Sequence, residues 1–86
     1  MGFFTLGRTT HHAFTTVTIK GVEIEIVIEG SLDHDEHYFE LDTVYLQEPR
    51  AKTKDTAPFA LPERIYNKLT SGAYDEQFHD VAWGSA

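Results

Sequence analysis

A period-two alternation of apolar and polar residues on both sides of Lys20-Gly21 is the feature that most constrains the fold. Residues 13–20 read AFTTVTIK, and residues 22–29 read VEIEIVIE. Successive side chains of a β-strand point to opposite faces, so each segment has two distinct faces as a strand. In the second segment one face consists of Val22, Ile24, Ile26 and Ile28, and the other of Glu23, Glu25, Val27 and Glu29. The glycine between the segments predicts that they form a β-hairpin.

A third strand is predicted over residues 38–46, YFELDTVYL, where the alternation resumes after a polar connection at residues 30–37. Strict alternation places Phe39, Leu41, Thr43 and Tyr45 on one face, and Glu40, Asp42, Val44 and Leu46 on the other. Three strands with one apolar face are about the minimum for a stable isolated sheet. The apolar face of this sheet therefore needs a cover.

The C-terminal part of the chain provides that cover. Residues 47–57 lack periodicity and predict a long surface loop. Pro62 suits the first turn of a helix, which we expect over residues 62–70. A second helix is predicted over residues 74–83, where the apolar stripe consists of Tyr74, Phe78, Val81 and Ala82.

Together these segments predict an α+β fold, in which a three-stranded antiparallel meander packs against one or two C-terminal helices on one face. The strands are expected at residues 13–20, 22–29 and 38–46. With 86 residues the chain has room for one small domain, 1–86, in which residues 1–12 form a flexible N-terminal segment. A domain this size buries only about 60% of its unfolded surface, so we expect it to be marginally stable alone or supported by self-association.

Charge and cysteine content exclude several classes of function. The chain carries 14 Asp and Glu against 7 Lys and Arg, a formal net charge of −7, whereas duplex-DNA binders usually present a basic face. The absence of cysteine removes disulfides, thiolate nucleophiles and Cys-ligated zinc. No apolar run approaches the ~20 residues of a membrane span. We therefore expect a cytoplasmic protein that binds neither duplex DNA nor membranes.

The negative charge is concentrated in residues 21–48, which contain nine acidic residues and no Lys or Arg. Residues two apart on a strand are separated by about 6.6 Å and adjacent strands by about 4.8 Å, so like charges on one face repel. The acids predicted to bind a partner are Glu23, Glu25, Glu29, Asp33, Asp35, Glu36, Glu40 and Asp42. Solubility alone is one explanation for such a face. The functional explanations are docking on a basic protein surface and mimicry of a nucleic-acid backbone.

A histidine-rich segment, Asp33-His34-Asp35-Glu36-His37, raises the alternative of a metal site. His34 and His37 are the candidate ligands, because imidazole and carboxylate groups bind divalent cations. A solvated connection between strands explains the same residues. The sequence contains no nucleophile elbow, phosphate loop or HExxH motif, so His11, His12 and His79 are interpreted as surface histidines. We expect no enzymatic activity and no cofactor.

Two further groups of residues need an interpretation, a cluster of cations after the third strand and a set of apolar residues outside the predicted core. A basic loop contains Arg50, Lys52 and Lys54. Without interleaved aromatic residues it is a weak signal for phosphate binding, and it is interpreted either as balancing the acidic sheet or as a solvated turn. The apolar residues predicted on the outer side of the sheet or helix are Val27, Val44, Leu46 and Trp83. Exposed apolar groups among charges are typical of a partner or homodimer interface, although Trp83 fits the core equally well.

The hairpin TVTIKGVEIEI, the third strand FELDTVYL and the C-terminal LPERIYNKL resemble small acidic proteins encoded by bacteriophages and prophages. The resemblance spans residues 13 to about 70 as architecture and contains no catalytic signature. Some proteins of this kind, anti-CRISPR proteins among them, inhibit host or defence proteins. The resemblance implies an inhibitor of a host or defence protein in the host cytoplasm. Together with the nine acids of residues 21–48, it predicts binding to a nucleic-acid-handling protein through the acidic face. The alternatives are a homo-oligomeric assembly protein that pairs through a strand edge and a small metal-dependent enzyme.

Overall fold

The computed structural model describes residues 8–48 and 59–85. It contains three strands and two helices: β1 (Arg8–Ile19), β2 (Val22–Asp33), β3 (Tyr38–Leu46), α1 (Glu63–Leu69) and α2 (Asp75–Gly84). The strands form one antiparallel sheet in the order β1-β2-β3, and the helices follow them in the chain. The predicted α+β meander is therefore confirmed, and both predicted helices are correct to within one residue at each end.

The hairpin turn consists of Lys20 and Gly21, both in the left-handed region, with φ of 53° and 81°. A two-residue type I′ turn requires positive φ at both positions, and its twist matches that of the flanking strands. Pairing starts at Ile19 opposite Val22 and continues to Arg8 opposite Asp33. β1 thus begins before Ala13, and residues 8–12, predicted as part of a flexible segment, are paired with β2.

β2 is also longer than predicted, because it continues beyond Gly30 to Asp33. A Cβ atom at Gly30 would overlap the backbone carbonyl oxygen of Glu40 and lie 2.9 Å from its carbonyl carbon. Glycine therefore permits a close approach of the two strands at this point. Beyond it, Leu32 pairs with Phe39, and both side chains are buried. The connection to β3 is reduced to the turn at residues 34–37.

A β-bulge in β3 changes which residues face the core. Thr43 lies opposite Glu29, whereas Leu41 lies opposite Gly30, the next residue of β2. Asp42 is therefore an extra residue without a partner in the register. An extra residue in one strand interrupts the strict alternation of faces along it.

The bulge makes the predicted face assignment wrong for the second half of β3. Val44 is buried in the core and Leu46 packs against it, although strict alternation predicts both on the outer side. Tyr45 lies opposite Val27, on the face away from the core residue Phe39. The core-facing apolar residues Phe39, Leu41, Val44 and Leu46 change phase by one residue between Leu41 and Val44, and the bulge at Asp42 explains this shift.

Both helices pack on one face of the sheet and close a single core. The side chains of this core are Ala13, Val17, Ile26, Ile28, Leu32, Phe39, Val44, Leu61, Leu69, Phe78 and Ala82. α2 contacts all three strands, and α1 contacts β3. Within the described ranges, neither helix is long and apolar enough to cross a membrane. The predicted loop over 47–57, including its basic residues, falls outside these ranges except for Gln47 and Glu48.

Candidate functional site

The candidate site is the face of the sheet turned away from the two helices, called here the outer face. By register it includes Arg8, Thr10, His12, Phe14, Thr16 and Thr18 of β1, Glu23, Glu25, Val27, Glu29, Ser31 and Asp33 of β2, and Glu40 and Tyr45 of β3. Because α1 and α2 both contribute to the core on the opposite side, neither described helix covers this face.

Apart from Asp33, which pairs with Arg8, three of the predicted acids lie along the central strand of the outer face. Glu23 and Glu25 are exposed and Glu29 is partly buried. None of the three forms an ion pair with another residue of the described ranges. Their spacing along β2 follows the strand repeat of about 6.6 Å for every second residue. Among the residues that the structure describes, these three carboxylates thus have no cationic partner.

An apolar row crosses the outer face between these acids. Phe14, Val27 and Tyr45 lie opposite one another on the three strands. Val27 is buried at 4% exposure, whereas Phe14 remains 65% exposed. The imidazole of His12 contacts the ring of Phe14 edge-on, with centroids 6.5 Å apart. An exposed aromatic side chain surrounded by charged groups is typical of the centre of a protein interface.

Arg8 compensates two other acids of the predicted block. Its guanidinium lies 3.6 Å from the Asp33 carboxylate and forms a hydrogen-bonded ion pair with Glu40. Residues 21–48 contain no Lys or Arg, so this compensation depends on strand pairing and cannot be seen in the local sequence. The ion pairs are exposed to solvent and contribute little to stability, but they lower the negative charge at this end of the face.

The Asp33 carboxylate has a second, structural role. Its Oδ1 accepts hydrogen bonds from the backbone N–H groups of Asp35 (3.0 Å) and Glu36 (3.2 Å). This Asx-type arrangement orders the turn between β2 and β3. Asp35 and Glu36 are exposed in that turn, and Asp42 is exposed at the bulge, so these three acids lie apart from the central row of the outer face.

The candidate metal ligands His34 and His37 both contact the indole of Trp83. His37 stacks on it with ring centroids 4.0 Å apart, and His34 approaches edge-on at 5.3 Å. His34 Nε2 is also hydrogen-bonded to Thr9 Oγ1 (3.0 Å). No group of three or more His, Asp or Glu side chains in the described ranges is arranged to hold a metal ion. The histidines dock the 34–37 turn onto α2.

The residues that sequence reasoning missed are those brought in by pairing across strands. Arg8 and Phe14 belong to β1, in segments that carry no acidic residue. Phe14 could have been recognised, because it occupies a position of the alternation whose neighbours Thr16 and Thr18 face solvent. Arg8 had no such signal, since its carboxylate partners lie 25 and 32 residues further along the chain.

No family model matches this chain, and comparisons with curated proteins and with solved structures give no significant match. Function must therefore be argued from the chemistry of the site. The outer face combines an exposed aromatic ring with carboxylates that form no ion pair within residues 8–48 and 59–85, and this combination is suited to binding.

Proposed function

We propose that this protein is a non-enzymatic interaction protein that docks its outer face on a basic surface of another protein. The observation that carries the proposal is the position of Glu23, Glu25 and the exposed Phe14 ring on one sheet face that neither described helix covers. Phe14 would act as an apolar anchor, and the carboxylates beside it would pair with cations of the partner.

The aromatic ring favours this function over solubility alone. A surface that serves only solubility needs mixed charges and few exposed aromatic residues. Phe14 is 65% exposed and lies beside Val27 and Tyr45 in the apolar row. Burial of such a ring in a partner releases apolar surface from water, which is the main favourable term in protein association.

The proposed partner is a nucleic-acid-handling protein of the host or of a defence system. Carboxylates spaced along a strand can occupy cationic positions that otherwise bind phosphates, so nucleic-acid mimicry is part of the proposal. The apolar row requires that the partner also offers an apolar patch between its cations. The resemblance to small acidic phage proteins supports the role of an inhibitor.

The test uses the full chain as bait in lysate of its source cells at low and high salt, with two variants of the outer face. Glu23→Lys/Glu25→Lys reverses the exposed charges, and Phe14→Ala removes the anchor. The matched control is Glu76→Lys/Asp80→Lys, which makes the same charge change at exposed positions of α2 on the other side of the molecule.

A partner captured by the wild type and by the α2 control, but lost with both outer-face variants, supports the proposal. We expect the charge-reversed variant to lose at least about tenfold in affinity, equivalent to about 1.4 kcal/mol. Equal capture by all four proteins contradicts the proposal, and so does equal loss in the outer-face and α2 variants. Capture that does not weaken at high salt contradicts its electrostatic part.

A second candidate is a homo-oligomeric assembly protein, favoured by the length of the β1 edge. β1 is a 12-residue edge strand, and residues 13–19 carry no charged side chain. Unpaired backbone groups on a long edge are templates for another strand. Gln77 Nε2 donates to the outward carbonyl oxygen of Thr16 (3.0 Å) and so covers one of these groups.

Thr16→Pro tests this second candidate. The Thr16 backbone faces away from β2, so proline removes an outward donor without removing a bond between β1 and β2. Light scattering at several protein concentrations would show an oligomer in the wild type and a monomer in the variant. A wild-type monomer at all concentrations would exclude assembly through this edge.

A further inference from the structure

A groove of roughly 470 Å³ lies between the hairpin turn and α1, on the helix side of the sheet. Its lining combines four apolar and three cationic residues, Ile19, Val22, Ile24, Ile65, Lys20, Arg64 and Lys68. Ile19, Ile24 and Ile65 are partly buried against the core, whereas Val22 is 60% exposed. Here the apolar face of the hairpin extends beyond the cover that the helices provide.

The cations of the groove are notable in so acidic a chain. The described ranges contain four Lys and Arg residues, and three of them line this groove. The fourth, Arg8, is paired with Asp33 and Glu40. Lys20, Arg64 and Lys68 form no ion pair with any acid in those ranges, although the chain has a net charge of −7. The groove is thus a local concentration of positive charge that no acid of the described ranges pairs with.

Lys20 is a second, independent indication that the groove is a ligand site. It occupies the first central position of the type I′ turn at φ 53°, where Asn, Asp or Gly is strongly preferred. A lysine in the left-handed region has a conformational cost, and such strained residues are often found at ligand sites. A cation at this position of the turn lies directly at the groove.

We propose that this groove binds a small anionic amphiphile, with a hydrocarbon body and one carboxylate or phosphate head group. The apolar lining would bury the hydrocarbon, and Arg64, Lys68 and Lys20 would bind the head group through charge-assisted hydrogen bonds. The volume lies within the range of about 300–1,000 Å³ found for small-molecule sites. This site is separate from the outer face and does not depend on the function proposed for that face.

The experiment is calorimetric titration of the full chain with decanoate and decyl phosphate, both below the concentrations at which they form micelles. Decanol and decyltrimethylammonium are the neutral and cationic controls of equal chain length. We expect at least one of the two anions to bind at least about tenfold more tightly than either control, because only an anionic head group pairs with the cationic side chains of the groove. The difference between decanoate and decyl phosphate identifies the preferred head group.

Three variants localise the binding. Arg64→Gln and Lys68→Gln each remove one cation from an exposed position of the groove, and each should weaken anion binding by about five- to tenfold. Ala73→Glu is the matched control, because it lowers the net charge by the same amount at an exposed position outside the groove lining. Thermal unfolding of each variant establishes that the fold is retained.

Anion binding that is weakened by Arg64→Gln and Lys68→Gln and retained in Ala73→Glu supports the proposal. Equal binding of decanol and decanoate overturns it, as does equal affinity in all three variants. Absence of binding by any of the four probes also overturns it. A dimer that dissociates in Val22→Glu, without binding of either anion, would assign the groove to a second copy of the chain.

Discussion

Gly30 is the residue on which the pairing of β2 with β3 most directly depends. It lies where the register shifts, and the backbone of Glu40 occupies the space that a Cβ atom would need. The ring of Phe39 would lie 3.0 Å from the same atom. Because the nearest obstacle is backbone, a side chain at this position cannot be accommodated by a rotamer change alone.

We expect Gly30→Ala to lower the free energy of unfolding by about 2 kcal/mol or more, through overpacking and displacement of β3. Gly84→Ala is the control, because a Cβ atom there meets no other atom within 4 Å and the residue is helical. Alanine should be neutral or stabilising by up to about 1 kcal/mol at this position. Urea unfolding measures both changes, and equal effects of the two substitutions would contradict this account of the bulge.

At the scale of elements, the hairpin turn affects both the stability of the fold and the proposed ligand binding at the groove. The type I′ geometry of Lys20-Gly21 aligns β1 with β2, and Ile19, Val22 and Ile24 on either side line the groove. Asn tolerates positive φ better than Lys, so the natural residue at position 20 is not the one that would best stabilise the turn. The difference is explained if the lysine serves a ligand.

Lys20→Asn is therefore expected to raise the free energy of unfolding by about 0.5–1 kcal/mol and to weaken decanoate binding at the same time. Gly21→Ala is the opposing control, since φ of 81° is unfavourable for alanine and the substitution should destabilise the hairpin. Denaturant unfolding and calorimetric titration give the two readouts. If Lys20→Asn is more stable but binds decanoate with unchanged affinity, Lys20 has no role in ligand binding at the groove.

At the scale of the whole molecule, charge is distributed unevenly between the two sides of the sheet. The outer face carries Glu23, Glu25 and Glu29, while three cations line the groove on the helix side, and none of the six forms an ion pair among the described residues. A charge distribution of this kind orients a protein as it approaches a charged partner. Arg8 modifies the distribution, because it neutralises charge at one end of the outer face.

Removal of the Arg8 charge, which neutralises Asp33 and Glu40, should accelerate binding of the outer face to a basic partner. We expect Arg8→Gln to raise the association rate constant by about two- to fivefold at low salt, with the difference decreasing as the ionic strength increases. Lys68→Gln is the matched control, since it removes one positive charge on the helix side of the sheet. Stopped-flow or surface-based kinetics at several salt concentrations would measure the rates. An equal acceleration by both variants would mean that net charge, and not the outer face, controls association.

Much of the architecture could be predicted because it depends on patterns among residues that are close in the sequence. Alternation around Lys20-Gly21 predicted the hairpin, and Pro62 with the following apolar positions predicted α1. The extension of β1 to Arg8 could not be predicted in this way, because the segment before Ala13 is polar and is ordered by its pairing with β2. Local patterns do not encode the length over which two strands remain paired.

The sequence by itself determined the element order, the hairpin turn and the presence of acids along one face of β2. These properties depend on the periodicity of neighbouring residues and on the backbone preferences of glycine and proline. Only the tertiary structure decided that Asp42 forms a bulge, that Arg8 compensates Asp33 and Glu40, and that Val22 and Lys20 meet α1 at a groove. The reason is physical: each of these contacts joins residues that are distant in the chain, and their proximity results from packing of the sheet and helices around the shared core.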